Sequence, residues 1–102
     1  MCGLSCWRQR MIERWREDID HLDRVLVRLL NLRARLALRI ARSKRAAGLP
    51  LRAPARERAV LRDVVDANPG PLAESAVLAV FRLIIRESRR LEERFSARPP
   101  DR

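Results

Sequence analysis

From Ile12 onward the apolar residues Ile12, Trp15, Ile19, Leu22, Leu26, Leu29, Leu36 and Ile40 recur mostly at alternating steps of three and four. That is the spacing of a coiled-coil-like seam along one face of a helix. No Gly or Pro interrupts it before Gly48. The spacing therefore predicts one helix of roughly 35 to 39 residues, some 50 to 60 Å long, ended where Gly48 supplies a left-handed cap. Such a helix is too long for the core of a chain of 102 residues, and a second copy is expected to cover it. A short loop, Gly48 to Pro54, leads to a second helix of about 13 residues with Val60, Leu61, Val64 and Val65 on its apolar face. The Asn68-Pro69-Gly70-Pro71 cluster ends that helix, and a third runs from about Pro71 to Arg94, with Val77, Phe81, Ile84, Leu91 and Phe95 at helical spacing. There is no strand pattern and no internal repeat. The predicted fold is all-α, with three helices per chain, one of them very long. Residues 11–96 form the helical domain, residues 1–10 are expected to be a disordered extension, and 97–102 a disordered tail. Met11 offers a second start.

Polar residues break the apolar faces at particular places. Between Leu29 and Leu36 the seam position is Arg33. A guanidinium there must meet an acidic side chain, a bound anion or water, or snorkel outward, because burying it unpaired is expensive. Lys44 follows eleven residues later, close to three full turns, so the two cations point to one side about 16 Å apart along the axis. A small dianion would bridge them; Lys44 also suits a solvated cation near a helix C-terminus. In the third helix Ser88 occupies the seam between Ile84 and Leu91, and Glu92 lies one turn on. A seam Ser can equally relieve crowding or bond back to its own helix. Glu57 falls on the apolar side of the second helix with Arg56 beside it, where a Glu also favours the helix dipole. Together these positions suggest an internal polar pocket.

The charge balance admits a second kind of partner. Lys and Arg number 23 against 13 Asp and Glu, a formal net charge of +10. That balance raises nucleic acid or an acidic partner as an alternative. Arg8, Arg10, Arg39, Arg42, Arg45, Arg52, Arg86, Arg89 and Arg90 would supply the binding surface. No apolar run approaches a membrane span of about 20 residues, and the first residues lack the apolar core of a signal peptide. A cytoplasmic protein is expected. Cys2 and Cys6, with the single His21, cannot complete a four-ligand metal site. There is no Gly-rich phosphate loop and no Ser/His/Asp set. Nucleophilic and metal chemistry are not expected, and no cofactor is implied.

The segments Trp-Arg-Glu-Asp-Ile-Asp-His-Leu-Asp at 15–23, Leu-Arg-Ala-Arg-Leu-Ala at 32–37, Lys44, Arg56-Glu57 and Phe-Arg-Leu-Ile-Ile-Arg-Glu-Ser at 81–88 make a specific pattern. On these residues the chain resembles the helical, AroQ-type chorismate mutases over about 12–95. The resemblance implies an intertwined homodimeric helical bundle and the rearrangement of chorismate, a small dianion, to prephenate in aromatic amino acid biosynthesis. It further implies that Arg16 reaches a substrate carboxylate from the partner chain, while Arg33 and Arg56 hold carboxylates from within the chain. Lys44 would donate to the ether oxygen and a carboxylate, Glu57 would accept from the ring hydroxyl, and Ser88 would bond the ring carboxylate. Glu92 sits where the family has Gln or Glu near the ether oxygen, so Lys44, Glu92 and Arg33 are the expected catalytic residues. One departure is Ala53, where the family often carries Asp. It leaves 4-amino-4-deoxychorismate as an alternative substrate and elimination of pyruvate from isochorismate as an alternative reaction. Small mutases of this kind are also activated by a partner enzyme. A membrane is not an expected partner, and nucleic acid ranks below the dianion.

Overall fold

The computed structural model describes residues 3–96, which form three helices and no strand: α1 (Leu4–Ala46), α2 (Pro54–Ala67) and α3 (Glu74–Phe95). The chain divides into two compact units, one up to Leu32 and one from Arg33 onward.

The first unit is the N-terminal part of α1. The helix begins at Leu4 rather than near Met11, which corrects the expectation of disorder for residues 4–10. The reason is local. After Gly3 no Gly or Pro stands in the way, and Leu4, Trp7 and Met11 continue the apolar spacing into Trp15. Residues 1 and 2, and the tail expected over 97–102, lie outside the described residues. Trp15, Ile19, Leu22 and Leu26 are all more than half exposed in the single chain.

The second unit holds the rest of α1 with α2 and α3. Here α1 ends as the glycine predicts. Gly48 has φ 70°, its N–H donates to the Arg45 carbonyl at 3.1 Å, and the Leu49 N–H donates to the Lys44 carbonyl at 2.8 Å. This paired closure satisfies two carbonyls that the helix end would leave bare. A Cβ on Gly48 would meet nothing within 4 Å, so the conformation alone penalises substitution. Gly48→Ala is expected to lose about 1–2 kcal/mol, read as a Tm drop of roughly 4–8 °C or more for a domain of this size, with Gly48→Asn recovering part of it. An unchanged melting temperature in Gly48→Ala would contradict this role.

Pro54 opens α2, where its fixed φ fits and its missing N–H costs nothing. The turn after α2 is tied by Asn68, whose side-chain oxygen accepts from the Gly70 N–H at 3.0 Å and whose amide donates to the Leu72 carbonyl at 2.9 Å. That wrapping holds the chain out of helix through Leu72, so α3 starts at Glu74, three residues after the expected Pro71. α2 packs directly on α3. The α1 segment from Arg33 reaches α3 through long side chains: an Arg33 guanidinium N–H donates to Ser88 Oγ at 3.2 Å and the Arg45 Nε–H to Ser96 Oγ at 3.1 Å. The buried apolar set among the described residues is small, Ala41, Val77 and Ile85. The helices of this unit leave a space between them.

Candidate active site

That space is a cavity of about 330 Å³, within the range of small-molecule sites. Its walls come from all three helices of the second unit. On α1, Arg33, Ala37, Ala41 and Lys44 recur at steps of four, four and three, so helical geometry alone places them on one face. The small Ala37 and Ala41 between the two cations leave room that Leu would fill. From α3, Ile85, Ser88, Arg89 and Glu92 share a face by the same rule, and α2 contributes Arg56, Glu57 and Val60. Leu51 and Ala53 close the side nearest the loop.

The cations at the two ends of the α1 face are fixed differently. Arg33 is held by Ser88, whose oxygen accepts from it at 3.2 Å, leaving the Ser88 hydroxyl proton to donate to a ligand. The Lys44 ammonium donates to the Leu51 carbonyl at 3.3 Å. Its own carbonyl takes the Leu49 N–H in the helix cap. Backbone and side chain of Lys44 thus tie the same loop, and two N–H donors of the ammonium remain for a ligand. Arg56 lines the cavity from the exposed first turn of α2.

Glu92 is the acidic group with a distinct electrostatic setting. Its pKa is raised above the usual carboxylate value, first by burial and then by the carboxylates of Glu57 and Glu93, against the lowering influence of Lys44 and Arg33. The neutral acid, a hydrogen-bond donor, is correspondingly favoured at this point of the wall.

Glu57 is gripped by Arg89, which donates from Nε to Oε2 and from Nη2 to Oε1, each at 2.9 Å. Arg89, one of the arginines that the charge balance offers as a surface for nucleic acid or an acidic partner, is instead part of the cavity wall. The missed signal was its helical spacing to Ile85 and Glu92. Arg45, from the same surface set, bonds Ser96 and so joins the C-terminal ends of α1 and α3.

Of the expected site residues, the cavity brings together Arg33, Lys44, Arg56, Glu57, Ser88 and Glu92. Arg16 lies in the first unit, paired with Glu13 at 3.3 Å, and does not line it. Ala53 lines the cavity and stands at the N-cap of α2 with no side-chain hydrogen bond. Counting the lining side chains, Arg33, Lys44, Arg56 and Arg89 oppose Glu57 and Glu92, an excess of positive charge suited to a small dianion. Among the described residues there is no cluster of three or more metal-ligating side chains and no helix long and apolar enough to cross a membrane.

Comparison with known proteins gives a consistent result. The model of the family described as chorismate mutase type II matches residues 15–93. A bifunctional chorismate mutase/prephenate dehydratase of Aquifex aeolicus is 36% identical over 83 residues, covering 78% of this chain and 23% of that protein. A protein of the same description from Neisseria gonorrhoeae is 43% identical over 72 residues, covering 71% and 19%. The chain thus spans a quarter or less of the length of these curated relatives. A chorismate mutase structure from Thermus thermophilus, form II, superposes with a TM-score of 0.81 at 35% identity, covering 83% of this chain and 97% of that one. Form I of that protein gives 0.75 at 33% identity, covering 76% and 98%.

Proposed function

Since the chain belongs to the chorismate mutase type II family, we propose that it converts chorismate to prephenate in the cavity between α1, α2 and α3. The observation that carries this reading is the convergence of Arg33, Lys44, Ser88, Glu57 and Glu92 on one cavity of ligand size.

The rearrangement is unimolecular. The ether C–O bond breaks as a C–C bond forms, with no group gained or lost, so the protein needs neither a nucleophile nor a base. It acts by holding the compact diaxial conformer and by stabilising negative charge that grows on the ether oxygen. Arg33 and Arg56 bind carboxylates, with the Ser88 hydroxyl on the ring carboxylate. Glu57 accepts from the ring hydroxyl. Lys44 and neutral Glu92 donate to the ether oxygen, where each bond strengthens as charge develops.

Arg16 supplies a further carboxylate contact from a second copy of the chain. The exposed Trp15, Ile19, Leu22 and Leu26 stripe supports this arrangement, because an apolar face of that extent calls for cover. The proposed assembly is an intertwined homodimer with two equivalent sites, located in the cytoplasm. A partner enzyme that activates the mutase is compatible with it.

Purified protein is expected to consume chorismate, followed by loss of its ultraviolet absorbance, with prephenate as product. Assays with 4-amino-4-deoxychorismate and isochorismate run alongside separate the alternative substrates. Lack of turnover with all three would defeat the reading.

A further inference from the structure

We propose that Arg89 is a specificity-determining positioning residue. Through its two-bonded pairing with Glu57 it sets the cavity to receive a hydroxyl, rather than an ammonium, on the substrate carbon facing Glu57. This deepens the proposed function and rests on it.

The pairing is unlike the other ion pairs among the described residues. Arg16–Glu13 and Arg90–Glu87 are single-turn contacts at 3.3 Å with every side chain more than half exposed. Arg89 and Glu57 are 32 residues apart, are only 35% and 23% exposed, and join α3 to α2 through two bonds of 2.9 Å. A planar fork of this kind fixes the rotamer and the plane of the carboxylate. Each Glu57 oxygen gives one lone pair to Arg89 and keeps another for a ligand. Glu57 thereby becomes an oriented acceptor, and the substrate group that meets it must donate.

Both a hydroxyl and an ammonium donate, so charge decides between them. The Glu57 carboxylate is already matched by Arg89 within contact distance, and the other lining charges are the cations Arg33, Lys44 and Arg56 against the single carboxyl of Glu92. An ammonium brought to Glu57 would add a cation to a wall that already has cations in excess, whereas a hydroxyl makes the same hydrogen bond without that repulsion. Ala53 sharpens the choice. It lines the same cavity with a methyl group, so this position adds no carboxylate to those of Glu57 and Glu92 to offset an incoming ammonium.

The test compares kcat/KM for chorismate and for 4-amino-4-deoxychorismate at about pH 6.5, where an aliphatic amine carries its proton. It uses the parent chain and the Arg89→Met and Arg89→Lys variants. The parent is expected to prefer the hydroxyl substrate. Arg89→Met frees the Glu57 charge and is expected to move the ratio of the two kcat/KM values toward the amine by about tenfold or more. Arg89→Lys keeps the charge but loses the fork, and moves the ratio less. A role confined to holding α3 on α2 would depress both substrates together. An unmoved ratio in Arg89→Met, or a parent that prefers the amine, therefore overturns the assignment. If circular dichroism shows that Arg89→Met has lost its helices, Arg89→Gln and Arg89→Lys carry the comparison, and an unmoved ratio in both has the same meaning. A parent that turns over neither substrate overturns the proposed function itself, an outcome distinct from turnover with a fixed ratio.

Discussion

Lys44→Ala is expected to lower kcat/KM for chorismate by about 10²–10³-fold, the usual loss when one preorganised donor to a developing oxyanion is removed. The size follows from where the ammonium stands. It lines a cavity partly shielded from water, at the last turn of α1, and is held in place by the Leu51 carbonyl at 3.3 Å. A cation fixed in advance does not have to reorganise as charge appears on the ether oxygen, and it acts in a medium less polarisable than water. Because the proposed bond strengthens toward the transition state, most of the loss should fall on kcat, with a smaller rise in KM from the lost carboxylate contact. Lys44→Arg retains charge and should recover part of the rate, short of the parent because a planar fork cannot reproduce the direction of a compact ammonium. Stability is a poor alternative explanation, since the chain end of α1 is closed by backbone bonds at Gly48 and Leu49 that the substitution leaves intact. Steady-state kinetics with a parallel melting curve would check this, and a kcat/KM within about threefold of the parent would remove Lys44 from the mechanism.

The second large effect concerns Glu92 and has a sign that can be worked out beforehand. Burial is the largest influence on this carboxyl and raises its pKa, with Glu57 and Glu93 adding to the rise and Lys44 and Arg33 opposing it. The proposed role needs the protonated form, so activity should be full below the raised pKa and decline as pH climbs through it. The carboxylates of a bound substrate disfavour ionisation further, so the decline in kcat should lie at higher pH than the decline in kcat/KM. Glu92→Gln keeps a donor at the same place with nothing to titrate, and its profile should be flat where the parent falls. Glu92→Ala has no donor and is expected to lose about 10²-fold relative to the parent below the raised pKa, with the gap closing as the parent loses its proton. Stability follows the same direction. A folded-state pKa above that of the unfolded chain means that the folded state holds its proton longer. Its contribution is complete below the unfolded carboxyl pKa and is lost as pH rises through the folded one. Melting temperatures of the parent should therefore fall over that interval more than those of Glu92→Gln. A Gln variant with the parent's pH profile would show that Glu92 does not carry the proton that matters.

These two residues illustrate unequal legibility. Lys44 was visible as one end of an eleven-residue interval from Arg33, because helix geometry converts that interval into a shared face with no tertiary information. By spacing alone Glu92 is only a polar residue near an apolar seam, and the family resemblance is what marks it as catalytic. Its electrostatic character depends on burial and on groups from α1 and α2, which chain spacing within α3 does not report. Ser88 lies between these cases. Its place in the seam marked it as unusual, yet an oxygen that bonds Arg33 across 55 positions of sequence is a tertiary fact. Arg89 was hidden most effectively. In a chain with 23 Lys and Arg, one more arginine carries no signal of its own, and only its spacing to Ile85 and Glu92 hinted at an inward face.

The set of helices and most of their ends follow from local sequence. Helix formation rests on local spacing, on the absence of Gly and Pro, and on the caps that interrupt it. Gly48 and Pro54 therefore act as stop and start whatever surrounds them. Which charges face one another depends on how the helices pack. The Arg89–Glu57 fork, the Arg33–Ser88 bond and the burial of Glu92 each join residues from different helices. Their energies depend on distances and on exclusion of water, quantities that exist only once the helices have packed.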